Sequence, residues 1–450
     1  MNSSKKRPYV LNLVHKVFYN VVTKEKEKVM DAFEKIIGYE EEKKILKRTA
    51  FTLKNEDALL KMGIKRPRAI MLYGKPGTGK TTMAKAFIKE LGWASIVCRK
   101  DKPNGEFVDK IKSVFDKAKE IAPCVIFLDD MDKFAEGYSG NDPNKEEYVT
   151  IQSCMDDCEQ DKIFIIATVN DRYLLPDSLM RGGRFEKLKI KLPAKSDGVK
   201  IIESYLKDKC VSESVSAERV SRLMRKNCCA VLEETINKAG QIAFFQGREL
   251  IEQEDLIEAY MQLEYGCKTN NLSQEKLKRI AYHEAGHALA GIWCGNKVEV
   301  VNIEQRQTNF GYCDIEDEPI TEYGEFCAKV ACGLGGRASI EVVYGEPDMG
   351  SKGDLYILIA DILPTFIDES GVRGFEHLNR RYGNSSERAD KNFNEYSRFM
   401  KEIYDKLLVV LSLNRKLLDA LVELLLKKGI IFCDEIEKLV KECGFVRVKG

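Results

Sequence analysis

Two histidines and a glutamate are spaced for metal chemistry in the sequence HEAGH. His283 and His287 are four residues apart, so on a helix both imidazoles share one face and can reach a single ion. Glu284 projects beside them, where its carboxylate can take a proton from a water that attacks a peptide carbonyl. The pattern predicts a zinc peptidase site, with a pair of core histidines beside a surface glutamate as the alternative.

A second motif, GKPGTGKT, has a spacing that suits phosphate chemistry. It follows a short apolar run, AIMLY, and precedes a segment with helical periodicity, which is the strand, loop and helix context that a phosphate-binding loop needs. Lys80 is expected to reach the terminal phosphates of ATP and Thr81 to supply a hydroxyl to Mg²⁺. The predicted ATP and Mg²⁺ ligands are Gly74, Lys75, Pro76, Gly77, Thr78, Gly79, Lys80, Thr81, Thr82 and Asp129.

Two adjacent acids follow the apolar run CVIFL, residues 124–128, which predicts a buried strand. Asp129 suits a magnesium ligand at the end of that strand. Asp130 occupies the place where a glutamate usually polarises the attacking water, and its side chain is one methylene shorter. Slow or absent ATP hydrolysis therefore stays open.

A third apolar run, IFIIATV, ends at Asn170, which is placed to sense the terminal phosphate. Beyond it, LMRGGRF presents Arg181 and Arg184 on a loop after a helix. Each arginine is either an ordinary surface residue or an arginine finger that stabilises charge on a neighbouring subunit's phosphate. Fingers that act between subunits imply a ring.

Further patterns predict the elements that position the metal motif. Ser273 is a candidate N-cap for a helix that continues to Gly295, and VEVVNI and GYCDI are typical of strands around a turn. One of these strands is expected to hold an extended substrate by main-chain hydrogen bonds. The segment 407–426 is interrupted by charged residues, which indicates an amphipathic helix rather than a membrane span.

Composition excludes some classes of partner. The chain has 450 residues, with 72 basic and 71 acidic side chains mixed along it, so no basic footprint for nucleic acid is present. The 14 cysteines are scattered without a CxxC pair, which favours buried, reduced thiols in a cytoplasmic protein. We expect no integral membrane segment.

From about residue 33 onward the chain resembles the FtsH-type AAA+ zinc metalloproteases. The resemblance is carried by GKPGTGKT, APCVIFLDD, IIATVN, LMRGGRF, YHEAGHA and GLGGRASIEVVYG, in the order of that family. It implies a homohexamer that hydrolyses ATP, pulls polypeptide substrates through a pore and cleaves them at zinc. The membrane helices of the family do not occur in this sequence, which implies a soluble form.

The resemblance also addresses the third zinc ligand. With His15 and His377 the only other histidines, the residue types favour a carboxylate, and the family pattern points to Asp354 in GSKGDL. Glu341 is the alternative, and Pro364 is expected to kink the helix that follows Asp354.

Two segments depart from the family. Residues 102–105 (KPNG) replace the aromatic pore loop, with Phe107 the only nearby aromatic, so an aromatic grip on substrate is in doubt. KNCCAV, residues 226–231, replaces a sensor motif, and no ligand is predicted there.

These patterns predict an α/β P-loop AAA+ domain with a small helical lid, followed by a mostly helical zincin-like protease domain. The predicted boundaries are an N-terminal extension at 1–33, the nucleotide-binding domain at 34–195, the small helical domain at 196–266 and the metallopeptidase at 267–450. The predicted function is an ATP-dependent zinc metalloendopeptidase. The alternatives are a nucleotide-regulated protease with weak ATP turnover and a remodelling ATPase with a relict metal site.

Overall fold

The computed structural model describes residues 31–134, 146–181, 183–269, 271–308, 311–316, 319–347, 349–378 and 386–447. The predicted N-terminal extension lies outside the described residues up to residue 30. The chain forms two compact units, Met1–Asp208 with Arg225–Glu234, and Lys209–Met224 with Thr235–Gly450. The bounds of the four predicted segments remain predictions.

The first unit alternates strands and helices. Its elements are α1 (Glu40–Lys54), α2 (Glu56–Lys61), β1 (Ala69–Tyr73), α3 (Lys80–Leu91), β2 (Ala94–Cys98), α4 (Asn104–Glu120), β3 (Cys124–Leu128), α5 (Glu146–Asp157), β4 (Ile163–Val169), α6 (Asp177–Met180), β5 (Glu186–Lys189) and α7 (Lys195–Leu206).

The five strands of this unit form one parallel sheet in the order β2-β3-β4-β1-β5. Every residue of β3 and β4 is buried, because helices cover both faces of a parallel sheet and continuous apolar runs are needed there. Side chains of α4 and α5 pack on one face, and side chains of α1 and α3 pack on the other. The predicted α/β architecture is confirmed.

The second unit is mostly helical. Its elements are α8 (Ala217–Leu223), α9 (Cys229–Phe245, whose first residues belong to the first unit), α10 (Gln253–Tyr265), α11 (Gln274–Cys294), β6 (Val298–Asn302), β7 (Tyr312–Ile315), α12 (Tyr323–Tyr344), α13 (Lys352–Ile357), α14 (Ser386–Leu413), α15 (Arg415–Lys428), β8 (Ile430–Phe432) and α16 (Cys433–Cys443).

The core of this unit lies between α11, α12, α14 and α15, over a small antiparallel sheet in the order β7-β6-β8. The Ser273 side chain accepts a hydrogen bond from the Lys276 amide at the start of α11, and left-handed Gly295 ends the helix, as predicted. After α13 the chain continues in π-helical turns, Leu358–Ile362 and Pro364–Glu369, with Pro364 at the start of the second turn. The kink expected at Pro364 stays a prediction.

The single amphipathic helix predicted at 407–426 is wrong, because the segment divides at Asn414 into α14 and α15. The Asn414 side chain donates to the Val410 carbonyl at 2.8 Å and accepts from the Val446 amide at 2.7 Å, so it competes with the helical hydrogen bonds. The apolar stripe of α15 packs into the core, as expected.

All fourteen cysteines are free thiols within the described residues, but the predicted burial is wrong for Cys210 and Cys267, which are exposed. Among the described helices, none combines the length and apolar character that a membrane crossing requires.

Candidate functional site

The predicted phosphate-binding loop lies between β1 and α3, in the strand, loop and helix context expected from the sequence. Gly77 has a φ of +74°, and a Cβ there would lie 2.4 Å from the Cys228 sulfur, so only glycine fits. The Lys80 ammonium donates to the carbonyls of Gly74 and Lys75, both at 2.8 Å, and burial lowers its pKa. The loop thus holds its lysine in place at the mouth of the cleft.

A cleft of about 450 Å³ opens beside this loop, within the range of small-molecule sites. Asp130 and Asn170 line it together with residues 76–82 of the loop, so the structure brings these sequence-predicted residues together. Tyr39, Tyr205 and Cys229 line it as well, and sequence reasoning missed them. The Ala230 amide donates to the Gly77 carbonyl at 3.3 Å, which ties the start of α9 to the loop.

Asp129 follows β3 and is almost fully buried. Its Oδ1 accepts from the hydroxyls of Thr81 at 3.0 Å and Thr168 at 2.7 Å, so the two predicted Mg²⁺ ligands are in contact. Its Oδ2 accepts from the Nε of Arg99 at 2.8 Å. The chain therefore presents a hydroxyl and a carboxylate together, the hard oxygen donors that Mg²⁺ prefers.

Asp130 has a left-handed backbone, with a φ of +55°, and its amide donates to the Thr168 hydroxyl at 2.8 Å. Its carboxylate forms an ion pair with Lys133 at 3.1 Å, and both side chains line the cleft. Asp130, the predicted hydrolytic acid, therefore lines the cleft and is paired there with Lys133 of the same chain.

Arg181 and Arg184 lie away from this cleft, in a separate groove of the first unit. Arg184 donates to the Ser178 carbonyl at 2.7 Å and forms an ion pair with Asp156 at 2.8 Å, whereas Arg181 is exposed. Neither arginine lines the phosphate cleft of its own chain among the described residues.

Phe107, the nearest aromatic to the altered pore segment, is fully buried against Phe134 and faces no solvent.

His283, His287 and Asp354 form the one cluster of metal-binding type in the described part of the chain. The Nε2 atoms of the two histidines are 3.0 Å apart, and Asp354 Oδ2 lies 3.1 Å from His283 Nε2 and 3.5 Å from His287 Nε2. Ligands around a tetrahedral zinc ion at normal bond lengths are about 3.3 Å apart. The residues present fit zinc.

Neighbouring groups fix the orientation of His287 and shift the pKa values of His287 and Asp354. His287 Nδ1 is 2.6 Å from the Cys332 carbonyl, which fixes the ring so that Nε2 faces the cluster. Burial would lower the pKa of His287, but Asp354, Glu284 and that carbonyl raise it to about 9. Burial raises the pKa of Asp354, yet its bonds to both histidines outweigh this and hold the pKa well below its usual range.

Glu284 is buried beside the cluster and lines a cleft of about 550 Å³ with His283 and Asp354. Burial raises its pKa, which favours a group that accepts and releases a proton. A Cβ at Gly311, just before the edge strand β7, would lie 2.9 Å from Glu284 Oε1. The edge strand thus begins next to the predicted base.

One further residue of α12 lies against the metal-binding cluster, and HEAGH alone does not reveal it. Gly336 faces the metal cluster, and a Cβ there would lie 2.5 Å from His283 Nε2 and 2.6 Å from His287 Nε2. Glu341, the alternative ligand, instead accepts a hydrogen bond from the Tyr404 hydroxyl at 2.7 Å. The sequence signal for Gly336 was the run GLGG at residues 333–336, because small residues in a helix allow another helix, here α11, to approach closely.

Two protein-family models match the segments of the chain that contain the two candidate sites. Residues 70–192 match the family model described as the ATPase family associated with various cellular activities (AAA), and residues 270–439 match peptidase family M41. An ATP-dependent zinc metalloprotease FtsH 2 of Thermoanaerobacter is 31% identical over 456 residues, covering 95% of this chain and 87% of the relative.

Two other relatives are longer than the chain. The ATP-dependent zinc metalloprotease FtsH of Mycoplasma genitalium is 30% identical over 91% of this chain, which spans 62% of that relative. The chloroplastic ATP-dependent zinc metalloprotease FTSH 2 of rice (Oryza sativa) is 27% identical over 93% of this chain, which spans 67% of it.

Proposed function

Because this chain belongs to the FtsH family of ATP-dependent zinc metalloproteases, we propose that it couples ATP hydrolysis to the delivery of polypeptides to a zinc endopeptidase site. The observation that carries the proposal is the cluster of His283, His287 and Asp354 at zinc-ligand spacing beside buried Glu284. We assign zinc to these three residues, and Mg²⁺ and ATP to the phosphate cleft.

Zinc, when bound, supplies a Lewis acid that activates water and polarises the peptide carbonyl. Glu284 takes the proton of the attacking water and passes it to the leaving amine nitrogen, a task its burial and raised pKa favour. Strand β7, at the edge of its sheet, pairs with an extended substrate by main-chain hydrogen bonds. Such binding recognises the backbone of the substrate rather than its side chains, and it therefore gives broad sequence specificity.

In the phosphate cleft, Lys80 and the loop amides hold the ATP phosphates, and Thr81 and Asp129 provide oxygen ligands for Mg²⁺. Asp130 orients the attacking water and Asn170 contacts the terminal phosphate. Arg181 and Arg184 serve the cleft of a neighbouring subunit in a homohexamer, a proposal supported by their location in a groove separate from the cleft of their own chain. Location in the cytoplasm is proposed from the fourteen free thiols.

A nucleotide-regulated protease with weak ATP turnover is the second candidate. It is favoured by Asp130, which is short and paired with Lys133, and by the buried side chain of Phe107. In that case nucleotide binding fixes the assembly, and loosely folded chains are cleaved without pulling.

Casein degradation by wild type and Glu284→Gln, with ATP, a non-hydrolysable analogue or no nucleotide, tests the proposal. We expect ATP-dependent cleavage by wild type, with a loss of about 10³-fold or more in the variant because its amide cannot accept the proton. Both proteins should retain stoichiometric zinc. Cleavage by the variant at the wild-type rate would remove the assignment. Equal cleavage in all three nucleotide states would contradict ATP-driven delivery. Equal cleavage with ATP and with the analogue, but none without nucleotide, would favour the second candidate.

A further inference from the structure

Arg99 immediately follows β2 and reaches the buried acid at the end of the neighbouring strand β3. Its guanidinium forms a forked interaction with Asp129, from Nε at 2.8 Å and from Nη2, both to Oδ2. The Asp129 side chain is 6% exposed, whereas that of Arg99 is 57% exposed. An exposed cation therefore covers one oxygen of a buried carboxylate.

The other oxygen of Asp129 is occupied as well. Oδ1 accepts from Thr81, whose hydroxyl is the second predicted Mg²⁺ ligand, and from Thr168. Arg99 thus contacts the same carboxylate that the proposed function assigns to Mg²⁺. A guanidinium has donors only, so it cannot itself coordinate the ion, and its positive charge opposes the approach of Mg²⁺.

The adjacent acid also contacts a cation, although the Asp130 side chain is 44% exposed. Lys133 forms an ion pair with Asp130 across 3.1 Å, and both side chains line the phosphate cleft. The two carboxylates that follow β3 therefore each contact a cation of their own chain. A magnesium ion and its nucleotide must compete with this internal charge.

We propose, on the basis of the ATPase assignment above, that Arg99 is a positioning residue that competes with Mg²⁺ for Asp129. Mg²⁺ reaches Asp129 only when the guanidinium leaves it, so Arg99 raises the Mg²⁺ concentration that tight ATP binding requires.

The test is the Mg²⁺ dependence of binding of a fluorescent ATP analogue to the full chain, as wild type, Arg99→Ser and Arg99→Lys. For Arg99→Ser we expect the half-saturating Mg²⁺ concentration to fall about 5-fold or more, which is a typical coupling between two ligands. Affinity at saturating Mg²⁺ should stay equal or become tighter. Arg99→Lys keeps the charge without the fork and should shift in the same direction by less, which preserves the test if Arg99→Ser does not fold.

Arg48→Ser is the matched control, because Arg48 is exposed and lies 3.9 Å from Glu186 in the same unit. It should leave the Mg²⁺ dependence unchanged. An unchanged Mg²⁺ requirement in both Arg99 variants would make the ion pair structural and overturn the proposal. Weaker binding at saturating Mg²⁺ would mean that Arg99 contacts nucleotide, which overturns it too. Wild type that binds no nucleotide would instead contradict the ATPase assignment itself.

Discussion

Asp354 lies with His283 and His287 in the candidate metal-binding cluster. The first prediction tests whether its negative charge is needed to bind zinc. Asp354→Asn keeps the shape of the side chain but removes the negative charge and one ligand oxygen. We expect its zinc content after dialysis to fall at least about tenfold, with loss of casein cleavage and an unchanged circular dichroism spectrum. Zinc is measured by plasma mass spectrometry.

Glu341→Gln is the matched control for this prediction, since Glu341 was the other candidate carboxylate. Its carboxylate contacts Tyr404 rather than the cluster. The variant should keep its zinc, and zinc loss in Glu341→Gln but not in Asp354→Asn would reverse the assignment.

At the residue scale, the sequence predicted the groups that lie within one short motif. HEAGH and GKPGTGKT place their side chains by local helix and loop geometry, so spacing alone was informative. Asp354 is 67 residues beyond His287 and was indicated only by family resemblance. Arg99, Gly336 and the Cys332 carbonyl were not predicted, because their roles depend on which elements become neighbours.

The contact between α11 and α12 determines whether the imidazoles of the metal cluster fit. Because a Cβ at Gly336 would lie within 2.6 Å of both histidine Nε2 atoms, Gly336→Ala must displace the rings. Alanine is a better helix former than glycine by about 1 kcal/mol, so we expect the fold to survive. Zinc content and casein cleavage should both fall at least about tenfold.

Gly324→Ala is the control on the same helix, because a Cβ there meets nothing within 4 Å. Zinc content and cleavage should match wild type. Full zinc in Gly336→Ala would mean that the imidazoles have room that the structure does not show.

A buried carboxylate in the first half of α14 holds this helix against Arg373. Glu395 accepts from Arg373 Nε at 2.7 Å and pairs with Arg398. Burial raises the pKa of Glu395, but the bonds with these arginines outweigh it and lower the pKa below the usual 4.5. The pair therefore stabilises the fold above about pH 4.5, and this contribution is lost as pH falls through the lowered pKa of the folded state.

Glu395→Gln should accordingly cost about 1 to 2 kcal/mol of unfolding free energy at pH 7. The difference from wild type should shrink on going to pH 4 and below, as measured by urea unfolding followed by circular dichroism. Glu437→Gln, on an exposed position of α16, is the control and should change stability little at either pH. A difference that grows on acidification would contradict this reading.

At the element scale, apolar runs predicted β1, β3 and β4 because a parallel sheet buries both faces of its strands. The pairing of β8 with β6 was not predicted, since a three-residue strand gives almost no pattern. The break at Asn414 was missed because the apolar periodicity continues across it, whereas the hydrogen bonds of one amide side chain end the helix.

The whole molecule carries two chemistries, each built within one compact unit: the phosphate cleft in the first and the metal cleft in the second. ATP turnover would depend on assembly because Arg181 and Arg184 are proposed to act at the phosphate cleft of a neighbouring chain. Arg181 is exposed and lies outside its own phosphate cleft, whereas Arg184 has partners on its own chain. Arg181 is therefore the sharper probe of a ring.

Mixing two inactive chains tests whether ATP is hydrolysed between subunits. Lys80→Ala loses the phosphate lysine, and Arg181→Ala should lose about 10³-fold in ATPase rate if it removes a finger. In an equal, randomly assembled mixture, about a quarter of the interfaces combine an intact Lys80 on one chain with an intact Arg181 on the next. We expect ATPase activity to recover toward that fraction of wild type. An arginine that acted on its own chain would give no recovery, even when energy transfer between labelled chains proves that subunits have exchanged.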